Sequence, residues 1–344
     1  MRLNFLTFGD HLADPITGRR TSVAERLNGI VESAVAAEAA GFHGVNIGEH
    51  HAGAFVSSSP PVTLAAIGAR TSTLRLGTAV TLIANLDPVR VAEDYAMLDV
   101  LSGGRAEVVV GRGNLFPSTY ELFGLSLDDS RRLLEDNVEL VLDLWTKDAV
   151  SWSGAERAPF ENLSLTPRPV QAPHPPLWIG GGGSPETAEL AARLGLPLAL
   201  PSAFAEATRF KPVVKDYRER FANAQGRDAE VPRVAASWHM NVARNSQEAK
   251  KRWAPRYEAY HQWFGKQVTE HGGQYKAGAF DFDWMLSDGS ALCGSPAEVI
   301  DKLSRMADLL EAEDHLVYLD MGGIPVEETL EMIDLVGAEI IPHL

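Results

Sequence analysis

Glu49-His50-His51 places a carboxylate beside two imidazoles in a chain of 344 residues. The triplet follows the apolar Val45-Asn46-Ile47 and precedes the small Ala52-Gly53-Ala54. An imidazole takes or gives a proton near working pH, which makes the two histidines candidate catalytic groups with a carboxylate beside them. Adjacent positions of an extended segment point opposite ways, so the two imidazoles are not expected to face one atom. On a loop at the carboxyl end of a strand, such groups can face a ligand without disturbing a sheet. Two other stretches carry binding chemistry. In Gly111-Arg112-Gly113-Asn114 the glycines admit a ligand close to the backbone, and the guanidinium can clamp phosphate or carboxylate. Gly180-Gly181-Gly182-Gly183-Ser184-Pro185-Glu186-Thr187 leads a glycine run into a helix, with Ser184 at the cap and Pro185 in the first turn. Free N–H groups from Gly183 onward, the helix dipole and the Ser184 and Thr187 hydroxyls then make an anion site. The first stretch lacks the third glycine of a dinucleotide fingerprint, and the second lacks a Walker lysine. Together they predict a phosphate-bearing cofactor on the rim of a barrel.

The elements needed to hold these groups are legible as alternating patterns. Strand-like runs fall at Leu3–Phe8, Gly44–Ile47, Leu76–Leu82, Ala106–Val110, Leu177–Ile179, Leu198–Leu200, Val234–Asn241 and Leu316–Asp320. Helical periodicity marks Ser22–Ala40, Val62–Thr71, Val89–Leu101, Ser130–Trp145, Pro185–Leu194, Ala205–Ala222, Ser246–Phe264, Pro296–Leu310 and Val326–Ile341. Eight β–α units predict an α/β fold of the (β/α)8 TIM barrel class. No linker-like stretch divides the chain, so residues 1–344 are expected to form one domain with insertions near 147–176 and 265–295. The aromatics Tyr275, Phe280, Phe282 and Trp284 predict that the second insertion is an ordered lid or a dimer contact.

Composition narrows the partners. Lys plus Arg number 31 against 46 Asp plus Glu, a formal charge of -15, which disfavours nucleic acid and anionic membranes. Cys293 is the single cysteine and excludes an internal disulfide, which suits a reducing cytoplasm. No apolar stretch is long enough to span a membrane. No histidine pair shows metal-ligand spacing, so a metal-dependent hydrolase built from His11, His50, His51, His239 and Asp320 is disfavoured.

Three blocks give the chain a family likeness: Gly48-Glu49-His50-His51; a long block from Leu76-Gly77-Thr78-Ala79-Val80 through Asp87-Pro88-Val89-Arg90, Glu93-Asp94, Leu98-Asp99, Ser102-x-Gly104-Arg105 and Gly111-Arg112-Gly113 to Phe123-Gly124; and Ser184-x-x-Thr187 with Leu194-Gly195-Leu196-Pro197. In these the sequence resembles the bacterial luciferase-like flavin monooxygenases, and among them the alkanal monooxygenase subunits. The resemblance runs to about Pro201 and becomes general beyond it. It implies a (β/α)8 barrel with reduced flavin mononucleotide (FMN) at its carboxyl end, Arg112, Ser184 and Thr187 on the phosphate, and a non-proline cis bond at Ala79-Val80 beneath the flavin ring. It implies His50 as the catalytic histidine with Glu49 as its buried neighbour. The implied reaction joins reduced FMN and O2 in a flavin hydroperoxide that oxidises an aldehyde, ketone or similar small molecule. A separate flavin reductase and a homodimer made through the early helices are implied as partners. Gly111 stands where the luciferase subunit has a reactive cysteine, and Ser202 where it has a pocket tryptophan; both point away from light emission and long-chain aldehydes. Two alternatives stay open, a deazaflavin-dependent dehydrogenase on the same fold and a non-catalytic flavin-binding subunit.

Overall fold

Eight short strands, each followed by a helical crossover, close on themselves. The computed structural model describes residues 1–154, 157–181, 184–226, 229–230, 232–275 and 281–344. The strands are β1 (Arg2–Thr7), β2 (Gly44–Ile47), β3 (Arg75–Thr78), β4 (Ala106–Val110), β5 (Leu177–Gly180), β6 (Leu198–Leu200), β7 (Val234–Val242) and β8 (Asp314–Tyr318). Each pairs in parallel with the next, and β8 pairs with β1 in register Leu3 to His315, which completes a (β/α)8 barrel. A short strand, Leu292–Gly294, lies outside the ring against β7.

Strands buried on both faces read as continuous apolar runs. Here Leu6, Val109, Trp178, Ala199, Ala235 and Leu316 fill the barrel interior. Phe5, Val45, Ile47, Val108, Val110 and Val317 face the surrounding helices. One glycine is fixed by this packing: a Cβ on Gly77 would lie 2.4 Å from the Asn46 side-chain amide. The crossovers start and stop on local signals. A Ser22–Glu25 capping box opens the helix Val23–Ala39, and the Asp87 carboxylate accepts from the Val89 and Arg90 N–H groups ahead of Pro88–Ser102. Gly195 ends Pro185–Leu194 in the left-handed conformation, with φ 69°.

The predicted elements are present, with shifted ends at several, among them Pro60–Gly68 for the second helix and Asp314–Tyr318 for the last strand. The third strand stops at Thr78, and the Ala79-Val80 peptide that follows is cis. The segment expected from Ala205 begins with a 3-10 turn, and its α-helix starts at Lys211, with Pro212 in the first turn. The helix from Ser246 continues past Gly265 to Glu270. The insertion at 147–176 contains a hairpin, Val150–Trp152 with Phe160–Leu163, hidden in the sequence by its prolines and short strands. Within the insertion at 265–295, a helix (Phe282–Ser287) and the outer strand are formed, while Phe280 lies outside the described residues.

Candidate active site

The carboxyl ends of the strands enclose a mainly apolar cavity of about 270 Å³. Glu49, His50 and His51 after β2 reach it, as do Ala79 and Val80 after β3, Gly111 and Arg112 after β4, Gly180 at the end of β5 and Gly181 after it. A larger cavity of about 350 Å³ lies beside it, between the β1 and β8 exits. Its charges are largely paired internally, Arg26 with Asp10 at 3.1 Å and with Asp320 at 2.7 Å. The smaller cavity, where the motifs converge, is the candidate site.

His50 stacks on Phe55 with centroids 3.9 Å apart and meets Phe8 and Phe116 edge-to-face. Its Nδ1 is buried with no hydrogen-bond partner among the described residues. Burial, helped by His51, pushes its pKa down to about 3, so the ring is neutral in this state. That differs from the expectation that His50 titrates near working pH, because the aromatic walls remove the water that would solvate an imidazolium. Glu49 also behaves differently from the expectation. Its carboxylate pairs with His51 Nε2 at 2.7 Å and accepts the Leu82 N–H at 3.0 Å, leaving His50 alone. Both histidines line the cavity, so the opposite-facing argument fails: beyond Ile47 the chain is no longer a regular strand.

The floor explains two of the glycines. A Cβ on Gly111 would lie 2.9 Å from Val80 Cγ2, and one on Gly180 would lie 2.6 Å from Val80 Cγ1. Their absence lets Val80 sit flat between the two strand exits. The position matching the luciferase cysteine is therefore part of this close packing. Ser202 is fully buried, and its hydroxyl donates to Ser237 O at 2.7 Å, tying β6 to β7.

Two guanidiniums and two hydroxyls gather beside this floor. Arg112 reaches Ser130 Oγ at 3.4 Å, and its own carbonyl accepts from Asn85 and Tyr120. Burial and the neighbouring Arg131 both lower the Arg112 pKa, so two guanidiniums converge here. At the start of Pro185–Leu194, Ser184 makes no side-chain cap; its Oγ lies 3.4 Å from Thr187 Oγ1. The exposed Glu186 carboxylate pairs with Arg131 at 2.5 Å. Its own backbone N–H, Arg131 and the Ser184 hydroxyl hold Glu186 down to about 2, so this helix start already accommodates a negative charge. Gly183 lies outside the described residues. The sequence reading missed Arg131, whose signal was a cation in the first turn of Ser130–Thr146, where the helix dipole disfavours one. It also missed the phenyl rings around His50, since single aromatics in loops have no periodicity to flag them.

A roof crosses the cavity from the helix Ser246–Glu270. Gln267 accepts the Ala54 N–H at 3.1 Å, and Ser118 Oγ meets His271 Nδ1 at 2.7 Å. Phe264 lines the cavity and meets Phe116 at 5.9 Å.

The family profile described as luciferase-like monooxygenase matches residues 1–311. The chain belongs to this family. It is 24% identical over 239 residues to the oxygenase component of the flavin-dependent trigonelline monooxygenase of Acinetobacter baylyi, covering 69% of this chain and 64% of that one. For several curated relatives the aligned stretch is only 46–64% of the relative's length. Among solved structures, monooxygenase RslO1 from Streptomyces bottropensis superposes with a TM-score of 0.88 at 26% identity, covering 100% of this chain and 99% of that one. An F420-dependent secondary alcohol dehydrogenase shares the fold at a TM-score of 0.72 and 19% identity, with 98% of each chain covered. This luciferase-like chain is thus an oxidoreductase-family barrel with its polar groups gathered at the usual end.

Proposed function

We propose that the chain is a monooxygenase that uses reduced FMN and O2 to oxidise a small organic substrate such as an aldehyde or ketone. The observation that carries this reading is the junction of a flat apolar floor, Val80 on Gly111 and Gly180, with the anion site of Arg112, Arg131, Ser184 and Thr187. A ring needs the first and a phosphate the second. Gly183 belongs to the same proposed phosphate cradle, and Ala79 to the same floor. Reduced FMN, when bound, would supply the electrons that activate dioxygen for transfer of one oxygen atom.

The residues of the chain then have separate tasks. Arg112 and Arg131 would hold the phosphate together with the Ser184 and Thr187 hydroxyls, Arg131 exchanging its Glu186 partner for it. Neutral His50, which lines the cavity, offers one ring nitrogen as donor and the other as acceptor and so can hold or pass a proton. Glu49 fixes His51 and the Leu82 backbone. Phe55, Phe116 and Phe264 exclude water, which protects reactive species. The absence of a dinucleotide fingerprint supports supply of reduced flavin by a separate reductase. Exposed Val62, Met97 and Leu101 on the second and third crossovers support a homodimer through those helices. The lone cysteine supports a cytoplasmic setting.

Incubation with photoreduced FMN, a panel of aldehydes and ketones and isotopically labelled dioxygen tests the reaction. Labelled product is expected. Substrate oxidation without label, sustained by a deazaflavin under nitrogen, would replace this reading with the dehydrogenase.

A further inference from the structure

One wall of the cavity is a single ring on a firmly anchored turn. Phe204 ends the 3-10 turn Ser202–Phe204 beyond β6 and lines the cavity. Buried hydrogen bonds fix that turn from two directions. Ser202 Oγ donates to Ser237 O at 2.7 Å, the Ala203 N–H donates to Ser237 Oγ at 3.2 Å, and Ser290 Oγ donates to Ala203 O at 3.1 Å. The ring is braced as well. It stacks on Phe264 at 5.4 Å, meets Phe8 at 5.8 Å and stands nearly perpendicular to the fully buried His239 at 5.0 Å. Interiors are close-packed, so the ring cannot swing aside without displacing one of these neighbours. Phe116 and Phe264 belong to the loop after β4 and to the roof, whereas Phe204 is tied to the barrel itself.

Room in front of Phe204 is scarce. The cavity of about 270 Å³ has to take the flavin ring proposed for the Val80 floor as well as the substrate. Pockets that hold one drug-sized ligand run from about 300 to 1,000 Å³. The remaining space is bounded by the rings of Phe8, His50, Phe116, Phe204 and Phe264. Glu49 is committed to His51 and the Leu82 N–H, and His50 is neutral, so these walls favour an uncharged substrate. Each methylene laid against them strengthens binding until the chain meets Phe204. Beyond that point, overpacking offsets what further burial would add.

We propose that Phe204 is the specificity-determining residue of this site, a fixed wall that limits a neutral substrate to a short apolar part. The proposal rests on the monooxygenase reading for the reaction, while the length limit itself is read from binding.

Calorimetric titration of the protein with straight-chain methyl ketones from butanone to decanone, in the presence of oxidised FMN, tests it. Affinity should rise roughly fourfold per added methylene up to a break, then level or fall. In Phe204→Ala the truncated ring leaves a cavity, and the break should move to chains longer by about two carbons or more. In Phe204→Trp it should move to shorter chains. FMN affinity should be unchanged in both variants, and kcat/KM with reduced FMN and O2 should break at the same chain lengths. If Phe204→Ala does not fold, Phe204→Leu carries the same test. An unmoved break in the folded variants would overturn the proposal. Affinity that keeps rising through decanone in the native protein, or no ketone binding at all, would overturn it too. A break that moves as expected, with no ketone oxidised by reduced FMN and O2, would instead fault the monooxygenase reading alone.

Discussion

His50 is walled by three phenyl rings and held neutral, and this sets what it can do. With its pKa near 3, it cannot switch charge between about pH 6 and 8. We predict that His50→Ala still binds reduced FMN but loses product formation by roughly a hundredfold or more. We also predict that the pH–rate profile of the native enzyme lacks an inflection near pH 6.5 that disappears with His50. Full turnover in the variant would remove His50 from the chemistry, and such an inflection would show that substrate or cofactor restores its basicity. The motif Glu49-His50-His51 was visible from residue types. Its internal pairing was not, because Glu49 chooses His51 and the Leu82 N–H through the path of the chain after β2.

The strand exits act together because each turn is short and pinned. Gly111 and Gly180 admit Val80, and the helix Ser246–Glu270 reaches over them to hold the loops at Ala54 and Ser118. If this roof keeps water out, loosening it should cost coupling before it costs binding. We predict that His271→Ala, which removes the bond to Ser118, binds FMN normally but raises the share of oxygen released as hydrogen peroxide severalfold. An unchanged peroxide yield would show that the roof does not shield the site. At this scale the barrel strands were legible from apolar runs bounded by glycine and proline. Where Leu76–Leu82 was expected to run straight, tertiary packing of Val80 ended the strand four residues early. The hairpin Val150–Trp152 with Phe160–Leu163 gave no periodicity to read, since strands of three and four residues barely alternate.

Across the whole molecule, buried neutral histidines couple the fold to pH. Burial holds His50 and His239 near 3 and His315 near 4. On unfolding each regains an ordinary value near 6.5, so below about pH 6.5 the unfolded chain binds more protons and stability falls. Asp314, raised by burial to about 6, and Asp320, also raised by burial, act in the opposite sense, taking protons first in the folded state. The three histidines outweigh them from about pH 6.5 down to about pH 4. We therefore predict a lower Tm at about pH 5 than at about pH 7; an equal or higher Tm at the acid end would contradict this balance. The proposed anion site is a property of the same scale, since Arg112 and Arg131 stand far apart on the crossover after β4 and Ser184 on the one after β5. The sequence showed two of these parts, and only the closed barrel brought Arg131 to them. The most direct measurement is an anaerobic titration of the protein with reduced FMN, repeated with Arg112→Ala and with a reduced deazaflavin. Saturable FMN binding, weakened roughly tenfold to a hundredfold in Arg112→Ala while the Tm is kept, is the predicted result. No FMN binding, equal binding in Arg112→Ala, or tighter binding of the deazaflavin would contradict it.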